Sequence, residues 1–275
     1  MRKSLHSKGA SVVVALAALL SGPVSRAHAQ ASLSADDIIQ RAVQRSESTN
    51  SRDGRPDYLY HKHTVTEEMD SKGRLKDRKE KLYDVTVADG LSQLRLLQLN
   101  GQDLSPAERK KEDEKESAER QKMTDAKPGQ KGDERENFLT ADLVGHYKFK
   151  LVGQKTLDGR AAYELAFEPK STNMPIHRLT DRFLNQVAGT VWIDAEEFEI
   201  ARAEIHLQGE VTRWGGVIGT LTQCNYTLGR ARMPDGMWFN RFSHGYFEGR
   251  KLLEPMSIRT RSESTDFHRQ ELALN

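Results

Sequence analysis

Apolar positions along the chain change period as the sequence proceeds. Ile38, Ile39, Ala42 and Val43 recur at helical spacing within 34–48. Ser34 stands in front as an N-cap, and Asp37 follows at the third helical position, near the positive end of the dipole. The pattern predicts an amphipathic helix whose stripe must dock on something. Past the turn-forming stretch 46–56 the period becomes two. Runs at 58–69, 75–87 and 91–99 alternate, broken by Ser71-Lys72-Gly73, Asp89-Gly90 and Asn100-Gly101. Later runs lie at 148–170 around Asp158-Gly159, at 189–207 around a charged turn, at 217–233, at 237–247 behind Asp235-Gly236, and at 251–268. Asp-Gly and Asn-Gly supply the positive φ angles of tight hairpins, so neighbours in sequence are antiparallel neighbours in space. About ten strands in sequential order predict a mainly β fold (α+β), an antiparallel meander with an N-terminal helix. Short helices are expected at 138–147 and within 171–188.

Alternation assigns faces to the strands. In 189–194, Trp192 and Asp194 share one side, and Val191 and Ile193 the other. In 200–207, Ala201, Ala203, Ile205 and Leu207 share one side, and Ile200, Arg202, Glu204 and His206 the other. Trp238, Phe242 and Tyr246 form one row of 237–247. Several strands therefore carry apolar residues on both faces, and such a sheet needs covering twice. The helix covers one face. The other curls on itself, packs on loops, or faces an apolar cavity, and pattern alone leaves a filled, ligand-free barrel equally open. The cavity candidates are Trp192, Ala201, Ala203, Ile205, Leu207 and Trp238, with the small alanines leaving room for a ligand.

Between the two sets of strands the texture changes. Residues 105–136 are dominated by charge. Ser105, Pro106 and Glu108 make a helix start, but the run that follows has no face to bury. It is expected to be a solvated helix or a partly ordered excursion from a single domain, residues 30–275. Residues 1–29 have the organisation of a secretory signal peptide: basic Arg2, Lys3 and Lys8, an apolar run 11–20, Gly22-Pro23, and Ala27-His28-Ala29 for cleavage. Of 42 basic and 40 acidic residues, Arg2, Lys3, Lys8 and Arg26 lie in this leader, so the remainder is close to neutral and nothing argues for nucleic acid. The single cysteine, Cys224, excludes an internal disulfide framework and leaves no lipid-anchor cysteine after the leader. No second long apolar run predicts a membrane span, so the mature chain is expected to be exported and soluble.

Candidate chemistry is sparse. No nucleophile elbow, zinc-protease helix, phosphate loop or C-x-x-C occurs, and no cofactor is expected. His61 and His63 form an H-x-H on one strand face, roughly 7 Å apart, a weak candidate metal pair with no third ligand in view. A hydrolase or metal enzyme using them is the least supported class.

The strings 148-KFKLVGQKTLDGRAAYELAFEPK-170 and 189-GTVWIDAEEFEIARAEI-205, followed by Asp235-Gly236-Met237-Trp238, resemble the LolA/LolB-like superfamily of periplasmic lipoprotein carriers, outer-membrane lipoprotein-sorting proteins and RseB-type regulators. The resemblance spans 34–268 by order of elements. It implies an unclosed, strongly curved antiparallel β-barrel with helices over its mouth, and an apolar cavity for lipid or lipoprotein acyl chains, without catalysis. It also implies a periplasmic location and, as the alternative role, docking of another envelope protein in the manner of RseB-type modules.

Overall fold

The computed structural model describes residues 33–49, 57–88, 91–125, 139–171, 179–213, 219–251 and 254–270. The leader reading of 1–29 and the 126–136 part of the charged segment fall outside them. One antiparallel sheet holds all the strands: β1 Tyr58–Met69, β2 Leu75–Ala88, β3 Leu91–Leu99, β4 Gln102–Asp103, β5 Tyr147–Leu157, β6 Arg160–Pro169, β7 Val187–Asp194, β8 Ile200–Leu207, β9 Val211–Arg213, β10 Gly219–Arg232, β11 Trp238–Lys251 and β12 Glu254–Arg269. Their order is β4-β3-β2-β1-β12-β11-β10-β8-β7-β6-β5, with β9 pairing β10 to one side. The ends β4 and β5 do not meet, so the sheet is an open curved barrel, as expected. The short β4 and β9 raise the strand number to twelve among the described residues. The helices are α1 Ala35–Thr49, α2 Pro106–Asp125, α3 Ala141–Gly145 and α4 Leu179–Leu184.

Local signals account for most of this. Ser34 and Asp37 cap α1 reciprocally: the Ser34 hydroxyl donates to the Asp37 carboxylate at 2.6 Å, and the Asp37 N–H donates back at 3.1 Å. Asn100-Gly101 and Asp158-Gly159 have positive φ at both turn positions, the geometry that matches strand twist in a two-residue hairpin. β1 closes the circuit by pairing with both β2 and β12, which brings the two ends of the chain's β region together.

The charged α2 has a structural use. It runs along β3, one partner of which is only the two-residue β4. The Arg109 guanidinium donates to the Leu96 carbonyl, and the Leu96 N–H donates to Glu116 at 3.2 Å. Polar side chains thus satisfy an otherwise open sheet edge, the kind of protection that discourages pairing with another chain.

α1 packs its stripe on β5 to β8. Ile38, Ile39, Ala42 and Val43 meet Leu165, Val191 and Ile193 in one buried cluster. A second cluster, centred on Tyr58, Tyr60, Val85, Val87 and Phe239, lies on β1, β2 and β11. Leu165 is fully buried. Leu165→Ala is expected to lower unfolding free energy by about 2–5 kcal/mol, read as a lower urea midpoint at unchanged m value.

Candidate functional site

The site is built where α3 and α4 cross the helix-covered face. Tyr147 and Phe149 of β5, Phe167 of β6 and Val187 and Val191 of β7 supply one wall. Ile200, Ala203 and Ile205 of β8 supply the next. Leu139, Leu143 and Val144 from α3 and its approach, with Phe183 and Leu184 of α4, form the roof. They enclose a partly open cavity of about 190 Å³ to which only apolar surface is exposed. The one hydroxyl in the lining is already used: Tyr147 Oη donates to the Leu184 carbonyl at 3.0 Å, and burial pushes its pKa up to about 12. Thr140 caps α3 by accepting from the Leu143 N–H at 3.2 Å, which fixes the roof's first turn. Among the described lining residues none is acidic or basic, so the arrangement offers an apolar chain a matching surface.

A β-bulge decides which side chains reach this cavity. Trp192 pairs with Arg202 and Ile193 with Ile200, so Ala201 is the extra residue of β8. Strict alternation put Ala201 with Ala203 and set Ile200 on the other side. The bulge reverses both: Ile200 lines the cavity, and Ala201 lines a different recess with Asp194, Arg230 and Trp238. Ala203 and Ile205 do line the cavity. Leu207, opposite Val187, is not among its lining residues. Trp192 lies on the opposite face, buried between Lys155 and Arg202, whose charged groups sit 5.7 and 5.5 Å from its ring. Trp238 is outside the cavity too, its indole N–H donating to Glu197 at 2.6 Å.

The turn between β7 and β8 is an ion-pair knot. Asp194 is 1% exposed and takes two hydrogen bonds from Arg160, at 2.6 and 2.9 Å. It also accepts the Glu196 and Glu197 N–H groups at 3.1 and 2.8 Å. Phe198 closes the turn at φ +57°. Glu199, 5% exposed, joins the equally buried Arg230 at 2.9 Å and Arg45 of α1 at 3.1 Å. This knot fastens α1, β8 and β10 together at one end of the cavity wall. Burial alone would raise the Asp194 carboxyl, but Arg160 and the two amides outweigh it and hold the group below its ordinary 3.8. Glu197 is held below 4.5 in the same way, with burial opposed by Trp238 and Arg232. A carboxyl depressed on folding contributes stability above its unfolded pKa and loses it as pH falls through the folded value. The melting temperature should therefore decline as pH drops below about 4.5, and Asp194→Asn should flatten that decline while lowering stability at neutral pH.

His61 is held by Asp84 at 3.0 Å and Asp266 at 3.2 Å, while His63 is bound to Glu80 at 2.8 Å. The two rings thus serve separate carboxylates, and among the described residues no three metal-ligating side chains converge. Cys224 is buried, and that burial pushes its thiol up, away from reactivity. A larger recess, about 570 Å³, is a wide groove on the opposite face among Glu67, His244, Tyr246, Arg259 and Arg261. It is more open to solvent than the cavity beneath α3 and α4.

No family model and no curated protein matches the sequence. Among solved structures, the chain is similar to a LolA superfamily protein from Nitrosomonas europaea at 12% identity, over 87% of this chain and 95% of that one, with a TM-score of 0.34. A putative outer membrane lipoprotein-sorting protein domain from Vibrio parahaemolyticus is 14% identical over 86% and 95%, with a TM-score of 0.33. The lipoprotein LppX of Mycobacterium tuberculosis is 8% identical over 87% and 99%, with a TM-score of 0.28. Identities this low do not bear on activity.

Proposed function

We propose that this chain is a non-catalytic envelope carrier that holds the acyl chain of a lipid or lipoprotein in the cavity beneath α3 and α4. The observation that carries the reading is the cavity itself: about 190 Å³, walled by β5 to β8, with only apolar surface facing inward. An apolar cavity of about 150 Å³ stays dry and accepts a benzene-sized guest, so this one is large enough for part of a hydrocarbon tail. The magnitude also suits transfer. Burying about eight methylenes at ~0.8 kcal/mol each gives roughly 6 kcal/mol, a dissociation constant between millimolar and micromolar. A tail held that loosely can be handed to another apolar acceptor. The leader-like residues 1–29 support placement outside the inner membrane.

Titration with a naturally fluorescent polyene fatty acid tests the reading. A saturable fluorescence rise at micromolar to sub-millimolar probe is expected, with competition by unlabelled fatty acid. A strictly linear, non-competed signal would contradict it.

A further inference from the structure

The face that forms the cavity wall continues across the sheet. The inter-strand registers carry it in unbroken rows. One row runs Ala203, Leu228, Ser243, Ser262, Thr64, Lys81. The next runs Ile205, Tyr226, Gly245, Thr260, Thr66, Lys79. The rows leave the cavity through Leu228 and Tyr226, pass small and hydroxyl side chains on β11, β12 and β1, and end in ammonium groups on β2. Lys62 lies on this same face of β1, two residues from Thr64 and diagonal to Lys81.

The charges at that end are unequal in their partners. Lys79 is tied to Asp77 at 3.1 Å. Lys81 sits 5.9 Å from the Tyr83 ring, and neither Lys81 nor Lys62 forms an ion pair with a carboxylate among the described residues. The opposite face of the same strands is arranged differently. There, Arg78 meets Glu80 at 2.7 Å, His63 meets Glu80, and Arg261 stands 4.0 Å from Glu67. Lys62 and Lys81 thus stand at the polar end of these rows without a carboxylate partner among the described residues, while the neighbouring Lys79 has one.

We propose that the apolar cavity and the lysines Lys62 and Lys81 are the two ends of one binding face for an anionic amphiphile, a carboxylate or phosphate head on a hydrocarbon tail. This rests on the acyl-binding reading of the cavity and adds the head-group class. Five strand intervals separate Ala203 from Lys81, about 24 Å along the sheet at ~4.8 Å each. The tail of a membrane lipid spans about 15 Å, half of a ~30 Å hydrocarbon core. A tail that fills the cavity must therefore be longer than this, with the head group and the four-methylene lysine stems covering the rest of the span. The hydroxyl-bearing middle solvates the region just below the head.

The test compares three ligands of equal, long tail on the full chain: octadecanoate, octadecyl phosphate and the neutral mono-octadecanoyl glycerol. The variant Lys62→Gln/Lys81→Gln is expected to weaken both anions about tenfold, the effect of two partly exposed charge contacts, and to leave the glyceride within about twofold. Lys62→Arg/Lys81→Arg should restore the anions. A greater loss for the phosphate supports a phospholipid-type head, and equal losses support recognition by charge alone. Anion and glyceride changing together, or neither changing, would overturn the head-group assignment while the cavity reading stands. Failure of all three to bind the unaltered protein would instead remove the cavity reading, and this one with it.

Discussion

Glu199→Ala should cost about 3–5 kcal/mol of folding free energy, the penalty for leaving a buried charge without its partner. Glu199 and Arg230 are each 5% exposed and meet at 2.9 Å. Arg230 also donates to the Ile200 carbonyl at 3.3 Å and the Trp238 carbonyl at 3.0 Å, so it is held in place and cannot swing to water when the carboxylate is removed. The same change releases Arg45, the link at 3.1 Å between α1 and the sheet. The double variant Glu199→Met/Arg230→Met should recover most of the loss, because a buried ion pair and well-packed apolar side chains of similar size are often nearly isoenergetic. Urea unfolding of the two variants reads both effects. A single-variant cost below about 1 kcal/mol would mean that the pair is solvated.

Ala203→Phe should weaken ligand binding about a hundredfold without unfolding the protein. The Ala203 side chain lines the cavity beside Ile205 and opposite Val191 in register. Space of about 150 Å³ accommodates a benzene ring, so a benzyl group grafted at this position fits within the 190 Å³ available. It would displace about four methylenes of any bound tail, worth roughly 3 kcal/mol, or about a hundredfold in affinity. In a filled core the same substitution would instead cost about 1–3 kcal/mol of stability through overpacking. The paired measurement of melting temperature and probe affinity therefore separates a hollow wall from a packed one. Trp192→Phe is the control on the opposite face and should leave affinity unchanged, because Trp192 pairs with Arg202 and faces away from Ala203.

Much of the fold is legible in the sequence because its signals are local. The α1 stripe, the Ser34 and Ser105 caps, and the Asn-Gly and Asp-Gly turns each act within a few residues. The antiparallel order of the sheet follows from many sequential strands with short connections, whereas its open, curved shape was implied only by the family resemblance. The site was less legible, for a physical reason. The string 201-ARAEIHL-207 alternates, and the apolar Ile200 in front of Ala201 is its one break; the bulge falls there because the register is set by pairing with β7 and not by β8 itself. That one extra residue exchanges the faces of Ile200 and Ala201. The β7–β8 turn hid a second feature. Phe198 takes a positive φ, a position where glycine or asparagine is the usual signal, and the knot around Asp194 and Glu199 holds it there. Its members Arg160, Arg230 and Arg45 come from three other elements, so no local window contains them. The charge of α2 was readable, but its use was not: protecting β3 depends on where the strand order ends.

The most direct test of the account places the ligand. A fatty acid carrying a nitroxide near its methyl end should, on binding, broaden the methyl resonances of Val191, Ile200 and Ile205, which line the cavity. The methyls of Val85 and Val87, in the separate cluster on β2, five strand intervals from β8, should stay sharp. Broadening confined to Val85 and Val87, or no saturable broadening at all, would contradict acyl binding beneath α3 and α4.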